Sequence, residues 1–152
     1  MAIVLSNAID YIEEVLRRGR LKIDDFAAGI GGVNFSCGRD FFEDICKMRA
    51  ARRMWYKLLS ERYGAKDPRT LRMRIHVVTA ASNLTYQQPL NNIVRTTCYA
   101  LASALAGVQS LGVSSYDEAI SVPSPEAQLL AIRPQQVIQF ESNIPAVVDP
   151  LG

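Results

Sequence analysis

A chain of 152 residues has room for one domain at most, and its 49% hydrophobic content is enough for a sizeable core. A formal net charge of +2 suits neither a nucleic-acid nor a membrane-surface partner. No apolar run approaches the roughly 20 residues of a membrane span, and because Asp10, Glu13 and Glu14 interrupt the apolar start, no signal peptide is expected.

Ser6 or Asn7 is a candidate cap for a first helix, in which Ala8, Ile9, Ile12, Val15 and Leu16 recur at helical spacing. Arg17, Arg18 and Arg20 suit its negative C-terminal pole, and Gly19 suits its stop. A helical turn is expected from Asp24 or Asp25 through Phe26, and a short buried strand over Gly29–Ser36. A long helix follows from about Asp40 to Tyr63, with Phe41, Ile45, Met48, Trp55, Leu58 and Leu59 as its buried stripe. Leu71–Thr79 alternates as a strand: Met73, Ile75 and Val77 share one face, Arg74, His76 and Val78 the other.

After the loop Ala80–Gln88, Pro89 suits the first turn of a helix that runs to about Ala106. Val108–Val113 reads as a strand, Asp117–Ile120 as a short helix, and Ser124 with Pro125 as the start of another. Ile144–Val148 reads as a last strand. The strands then begin near 31, 72, 108 and 145, each gap holding a helix. This is the pattern of a parallel sheet with right-handed crossovers. The expected fold is α/β: about four parallel βα units, half of a (β/α)8 TIM barrel, which usually takes about 250 residues. An open four-stranded α/β sheet is the alternative. Gly29-Ile30-Gly31-Gly32 lacks the spacing of a nucleotide loop.

Two polar loops follow strands: Leu84–Arg95, rich in amides and hydroxyls, and Ser110–Ala119. Such loops are where α/β proteins place ligand chemistry. The basic run Lys47, Arg49, Arg52, Arg53, Lys57 reads as a solvated or subunit-facing helix surface, because acidic residues balance it. Cys37, Cys46 and Cys98, with no CxxC pair, read as small buried residues with free thiols in a reducing cytoplasm. His76 and Arg74 on one strand face imply a polar barrel interior, with His76 hydrogen-bonded in the barrel or touching substrate.

Five stretches carry a resemblance to adenosylcobalamin-dependent acyl-CoA mutases, the methylmalonyl-CoA mutase family: Ile23–Ala27; Asp40–Trp55; Leu84–Arg95; Gln109–Leu111 with Asp117–Ala119; and Val148–Gly152. They stand in the family's order and are spaced along nearly the whole chain. The resemblance implies a C-terminal portion of the substrate-binding barrel, without the cobalamin-binding Rossmann-like domain. It implies a radical rearrangement of the carbon skeleton of an acyl-CoA, such as methylmalonyl-CoA/succinyl-CoA or an isobutyryl-type acyl-CoA, in an oligomeric assembly. The partners would be the remaining barrel half and a cobalamin-binding domain or small subunit, and the isolated chain would be inactive. The alternative is a non-catalytic fragment or accessory subunit that completes a barrel with a partner chain.

By the same resemblance Gln87 contacts the corrin and Glu118 the adenosyl ribose or corrin edge; Ser114, at the end of the same strand as Ser110, is placed to hydrogen-bond the cofactor or the substrate and is counted with the cofactor contacts. Ser110, His76 and Asn34 are the expected substrate contacts. No catalytic residue and no metal ligand is expected: the family's cobalt ligand lies in an Asp-x-His-x-x-Gly motif, and His76 stands outside any such motif. Two departures bear on substrate identity. Ile30–Asn34 replaces the usual Arg-x-Ser-Phe-Phe, and Ser110-Leu111-Gly112-Val113-Ser114 replaces Ser-Leu-His-Thr-Asn. The Gln87-Gln88 pair is closer to isobutyryl- or hydroxyisobutyryl-type mutases.

Overall fold

The computed structural model describes residues 1–152. The elements in chain order are α1 (Ala2–Arg17), α2 (Ile23–Ile30), β1 (Gly32–Cys37), α3 (Phe41–Lys57), α4 (Pro68–Leu71), β2 (Arg74–Thr79), α5 (Asn91–Leu105), β3 (Ser110–Gly112) and α6 (Pro125–Glu141). The strands form one parallel sheet in the order β1-β2-β3, flanked by helices, which is a partial βα barrel. The chain divides into two compact units: Met1–Val33 with Lys47–Ile75, and Asn34–Cys46 with His76–Gly152.

In the first unit α1 buries Leu5, Ala8 and Ile12, a stripe at helical spacing. Because Leu5 belongs to that stripe, the helix starts at Ala2, and Ser6 and Asn7 lie inside it instead of capping it. Gly19 ends it at φ +69. The turn expected near Asp24 extends to a helix through Ile30, opened by the Asp25 carboxylate accepting from Lys22 N–H at 2.8 Å. Asp24 accepts from the amides of Lys66 (3.0 Å) and Asp67 (3.2 Å), which places the start of α4 against α2. Met48, Ala51, Trp55 and Leu59 are fully buried along the long helix, which ends in a π-helical turn at Leu58–Arg62. The Trp55 indole N–H donates to the Thr70 carbonyl at 3.0 Å.

In the second unit β2 and β3 run parallel with His76 opposite Ser110, Val77 opposite Leu111 and Val78 opposite Gly112. Phe35, Cys37, Val77 and Thr79 face the helices and are buried. The helix α5 packs on α6, whose N-terminus is capped by the Ser124 hydroxyl accepting from Ala127 N–H, with Pro125 in its first turn as expected. Gly38 follows β1 where a side chain would collide with the Asn83 amide.

Four further expectations need correction. Residues 144–148 are not a strand: Ile144–Ala146 forms a 3-10 turn after Asn143 at φ +60, and Pro145 has no N–H for a sheet ladder. The sheet therefore has three strands, not four. Asp117–Ile120 is a pair of hydrogen-bonded turns (Glu118 N to Ser115 O, Ile120 N to Asp117 O), because Pro123 and Pro125 follow too closely for a helix to grow. Pro89 precedes α5 in a turn, and the helix opens at Asn91. None of the three cysteines is in a disulfide, yet only Cys37 is buried; Cys46 and Cys98 are exposed.

Candidate functional site

The sheet buries one face under helices and leaves the other open. In the second unit the open face carries Asn34 and Ser36 from β1, His76 and Val78 from β2, and Ser110 and Gly112 from β3, placed by the two-residue period of the strands. Asn34 is exposed on β1. His76 Nδ1 lies 2.7 Å from Ser110 Oγ, so two of the sequence-predicted substrate residues form one hydrogen-bonded pair across neighbouring strands. That bond fixes the ring and leaves Nε2 to face the space above Gly112, where a Cβ would stand 3.9 Å away.

The two polar loops leave the C-terminal ends of β2 and β3. The first turns through a 3-10 segment, Ala81–Asn83, and reaches Gln87, which is exposed and whose carbonyl accepts from the Thr85 hydroxyl at 2.9 Å. Gln88 sits in the left-handed region at φ +51, and its side-chain oxygen accepts from Asn91 Nδ2 at 2.9 Å. The second loop begins with Ser114, which is buried: its N–H donates to Thr79 Oγ1 (2.8 Å) and its hydroxyl to the Thr79 carbonyl (2.9 Å). Both polar groups of Ser114 are thus engaged with β2. Glu118 is half-buried, and one carboxylate oxygen accepts from Ser115 N–H at 2.7 Å. Asp117 accepts from Ser124 N–H at 2.9 Å, which closes the loop onto α6.

Asn92, fully buried at the start of α5, joins the two loops. Its Oδ1 accepts from Thr85 N–H (3.1 Å), and its Nδ2 donates to the carbonyls of Thr85 (2.9 Å) and Tyr116 (2.8 Å). Arg95 reaches back to Asn92 Oδ1 at 2.8 Å and Thr85 Oγ1 at 3.2 Å. Every polar atom of the Asn92 side chain is used, as a buried amide requires. Arg39, after β1, and Asn91, Val94, Arg95, Cys98 and Tyr99 of α5 line a hollow of about 440 Å³. Burial raises the Tyr99 phenol above its ordinary pKa.

In the first unit a hollow of about 330 Å³ is lined by Ala28, Gly29, Arg69, Arg72 and Arg74. Arg74 donates to the Ala28 carbonyl at 3.2 Å, and Arg69 forks onto Asp67 at 2.7 and 3.1 Å. Hydrogen bonds from the Arg69 side chain and backbone hold the Asp67 carboxyl below its ordinary range. Sequence reasoning did not single out Arg69, Arg72, Thr79 or Arg95 as site residues. Arg69 and Arg72 could have been found from their cluster with Arg74; Thr79 is the next position on the strand face of Met73, Ile75 and Val77.

In βα barrels the loops at the C-terminal ends of the strands are where ligand chemistry is carried, and this chain places its two polar loops there. The chain belongs to the methylmalonyl-CoA mutase family, whose model matches residues 1–152. It is 44% identical over 151 residues to the 2-hydroxyisobutanoyl-CoA mutase large subunit of Aquincola tertiaricarbonis, covering 99% of this chain and 26% of that protein. It is 41% identical to the methylmalonyl-CoA mutase of Escherichia coli and 39% to the mitochondrial human enzyme, over the whole of this chain and 21% and 20% of theirs. The chain thus spans about a quarter or less of these relatives. No helix is long and apolar enough to cross a membrane.

Proposed function

We propose that the chain is part of the substrate barrel of an adenosylcobalamin-dependent acyl-CoA mutase, an isomerase that performs a 1,2 rearrangement of an acyl-CoA carbon skeleton. The observation that supports this most is the family match along all 152 residues, in a sheet whose open face carries a His76–Ser110 pair. A barrel interior without a threaded ligand is instead filled by Val, Ile and Leu.

On this reading His76, held by Ser110, and Asn34 on β1 offer hydrogen-bonding groups to the acyl-CoA. The arginines around the first unit's hollow suit the phosphates of CoA, for which guanidinium forks are matched donors. Gln87 and Glu118 suit the cofactor: an exposed neutral amide can pair with corrin side-chain amides, and a carboxylate can accept from ribose hydroxyls. Ser114 serves the cofactor side by tying its loop to Thr79.

When bound, the cofactor supplies the radical chemistry, and the chain supplies position, electrostatics and shielding. The cobalt ligand would come from outside this chain, since its one histidine, His76, stands outside the Asp-x-His-x-x-Gly pattern that the resemblance associates with that role. The partners are the rest of the barrel, which would extend the edge strands β1 and β3, and a cobalamin-binding domain or small subunit in an oligomeric assembly. Exposed Cys46 and Cys98 suit a reducing compartment such as the cytoplasm.

The test combines this chain with the remaining barrel and a cobalamin-binding subunit. Turnover of methylmalonyl-, isobutyryl- and 2-hydroxyisobutyryl-CoA is followed with the cobalamin spectrum. Rearrangement of one of them, with weaker cofactor binding in Gln87→Ala, is the expected result. Loading without any acyl-CoA turnover would overturn the mutase reading, and unchanged cofactor affinity in Gln87→Ala would overturn the corrin contact.

A further inference from the structure

We infer that Gly112 sets the size of acyl group the open face accepts; the inference rests on the acyl-CoA reading above. The four residues His76, Ser110, Val78 and Gly112 form a tile on the open face, two strands wide and two positions deep. Its first row is the hydrogen-bonded His76–Ser110 pair. Its second row, nearer the loops that bear Gln87 and Glu118, is Val78 beside a residue with no side chain.

The space above Gly112 is bounded by Val78 Cγ2 at 3.7 Å, His76 Nε2 at 3.9 Å and the Val77 carbonyl at 3.9 Å from where a Cβ would stand. All three are ordinary contact distances, so the fold itself does not demand glycine here. Neither does the backbone, because Gly112 is not among the glycines with positive φ. The missing side chain leaves a niche with one apolar wall, Val78, which is 44% exposed, and one polar edge, His76 Nε2. An acyl group branched beside its thioester fits that chemistry: the branch lies against Val78 in the volume a side chain would fill, and an oxygen meets the imidazole.

The experiment uses the assembled mutase and measures affinity for acetyl-CoA and isobutyryl-CoA in the wild type, in Gly112→Val and in Gly112→Val with Val78→Ala. One filled methyl-sized site in an apolar pocket discriminates by roughly 10-fold or more. Gly112→Val should weaken isobutyryl-CoA by about that factor and leave acetyl-CoA nearly unchanged. Adding Val78→Ala should recover much of the loss. Gly112→Ala, whose Cβ makes only ordinary contacts, gives the same comparison at smaller amplitude if Gly112→Val misfolds. If both thioesters weaken together, or neither does, Gly112 does not select acyl size while the acyl-CoA reading stands. If the wild type binds neither, that reading fails and takes this inference with it.

Discussion

Ser114 and Thr79 hold each other twice: the amide of Ser114 donates to Thr79 Oγ1, and the hydroxyl of Ser114 to the Thr79 carbonyl. Both residues are buried, so neither bond can be replaced by bulk water. Thr79→Val keeps the shape and removes the acceptor, which strands a buried N–H. The expected loss is about 1–3 kcal/mol in denaturant unfolding, with Thr79→Ser recovering most of it. A loss below a few tenths of a kcal/mol would show that the second loop is anchored elsewhere.

Asn92→Leu should cost more, about 3 kcal/mol or above, because it strands the Thr85 amide and two carbonyls together. Hydrogen exchange supplies the sharper reading. The Thr85 amide should lose protection, and both loops should open together; protection retained at Thr85 is the contrary outcome.

The expected three-dimensional order was partly readable from residue spacing. The period-2 alternation of Met73–Val78 identified β2 and its two faces, and the apolar stripe from Ile45 to Leu59 identified the long helix. Ile144, Val147 and Val148 look equally strand-like, but Pro145 between them decides the matter through its missing N–H. The pairing of His76 with Ser110 and of Val78 with Gly112 was not readable, because register is a relation between strands and no single strand encodes it. The bond from Asn92 to the Tyr116 carbonyl was likewise not readable, because it depends on a loop far along the chain. Gln87 and Glu118 were legible as site candidates through family resemblance alone.

Acid should weaken the fold in a defined window. Side-chain hydrogen bonds from Arg17 and then Arg18 lower the Glu14 carboxyl from 4.5 to about 2. Between those values the unfolded chain binds the proton that the folded chain refuses, so stability rises with pH there. Glu14 therefore contributes fully above about pH 4.5, and its share is lost as pH falls through about 2. The group is solvent-exposed, so the effect is small and salt-sensitive. Glu14→Gln should flatten the acid limb of a stability-versus-pH curve at low salt; an unchanged limb would show that the pair is broken in solution.

Trp55→Ala should remove about 3–5 kcal/mol, since the side chain is fully buried and its N–H occupies the Thr70 carbonyl. Trp55→Phe should cost less in volume but still leave that carbonyl unpaired, which separates packing from hydrogen bonding.

Trp55 is also the chain's lone tryptophan, and it belongs to the unit formed by Met1–Val33 and Lys47–Ile75. Its emission is a built-in optical reporter for that unit. Far-ultraviolet dichroism, by contrast, sums the helices of both. Comparing the two signals during unfolding shows, without any label, whether the units melt as one cooperative body or in sequence.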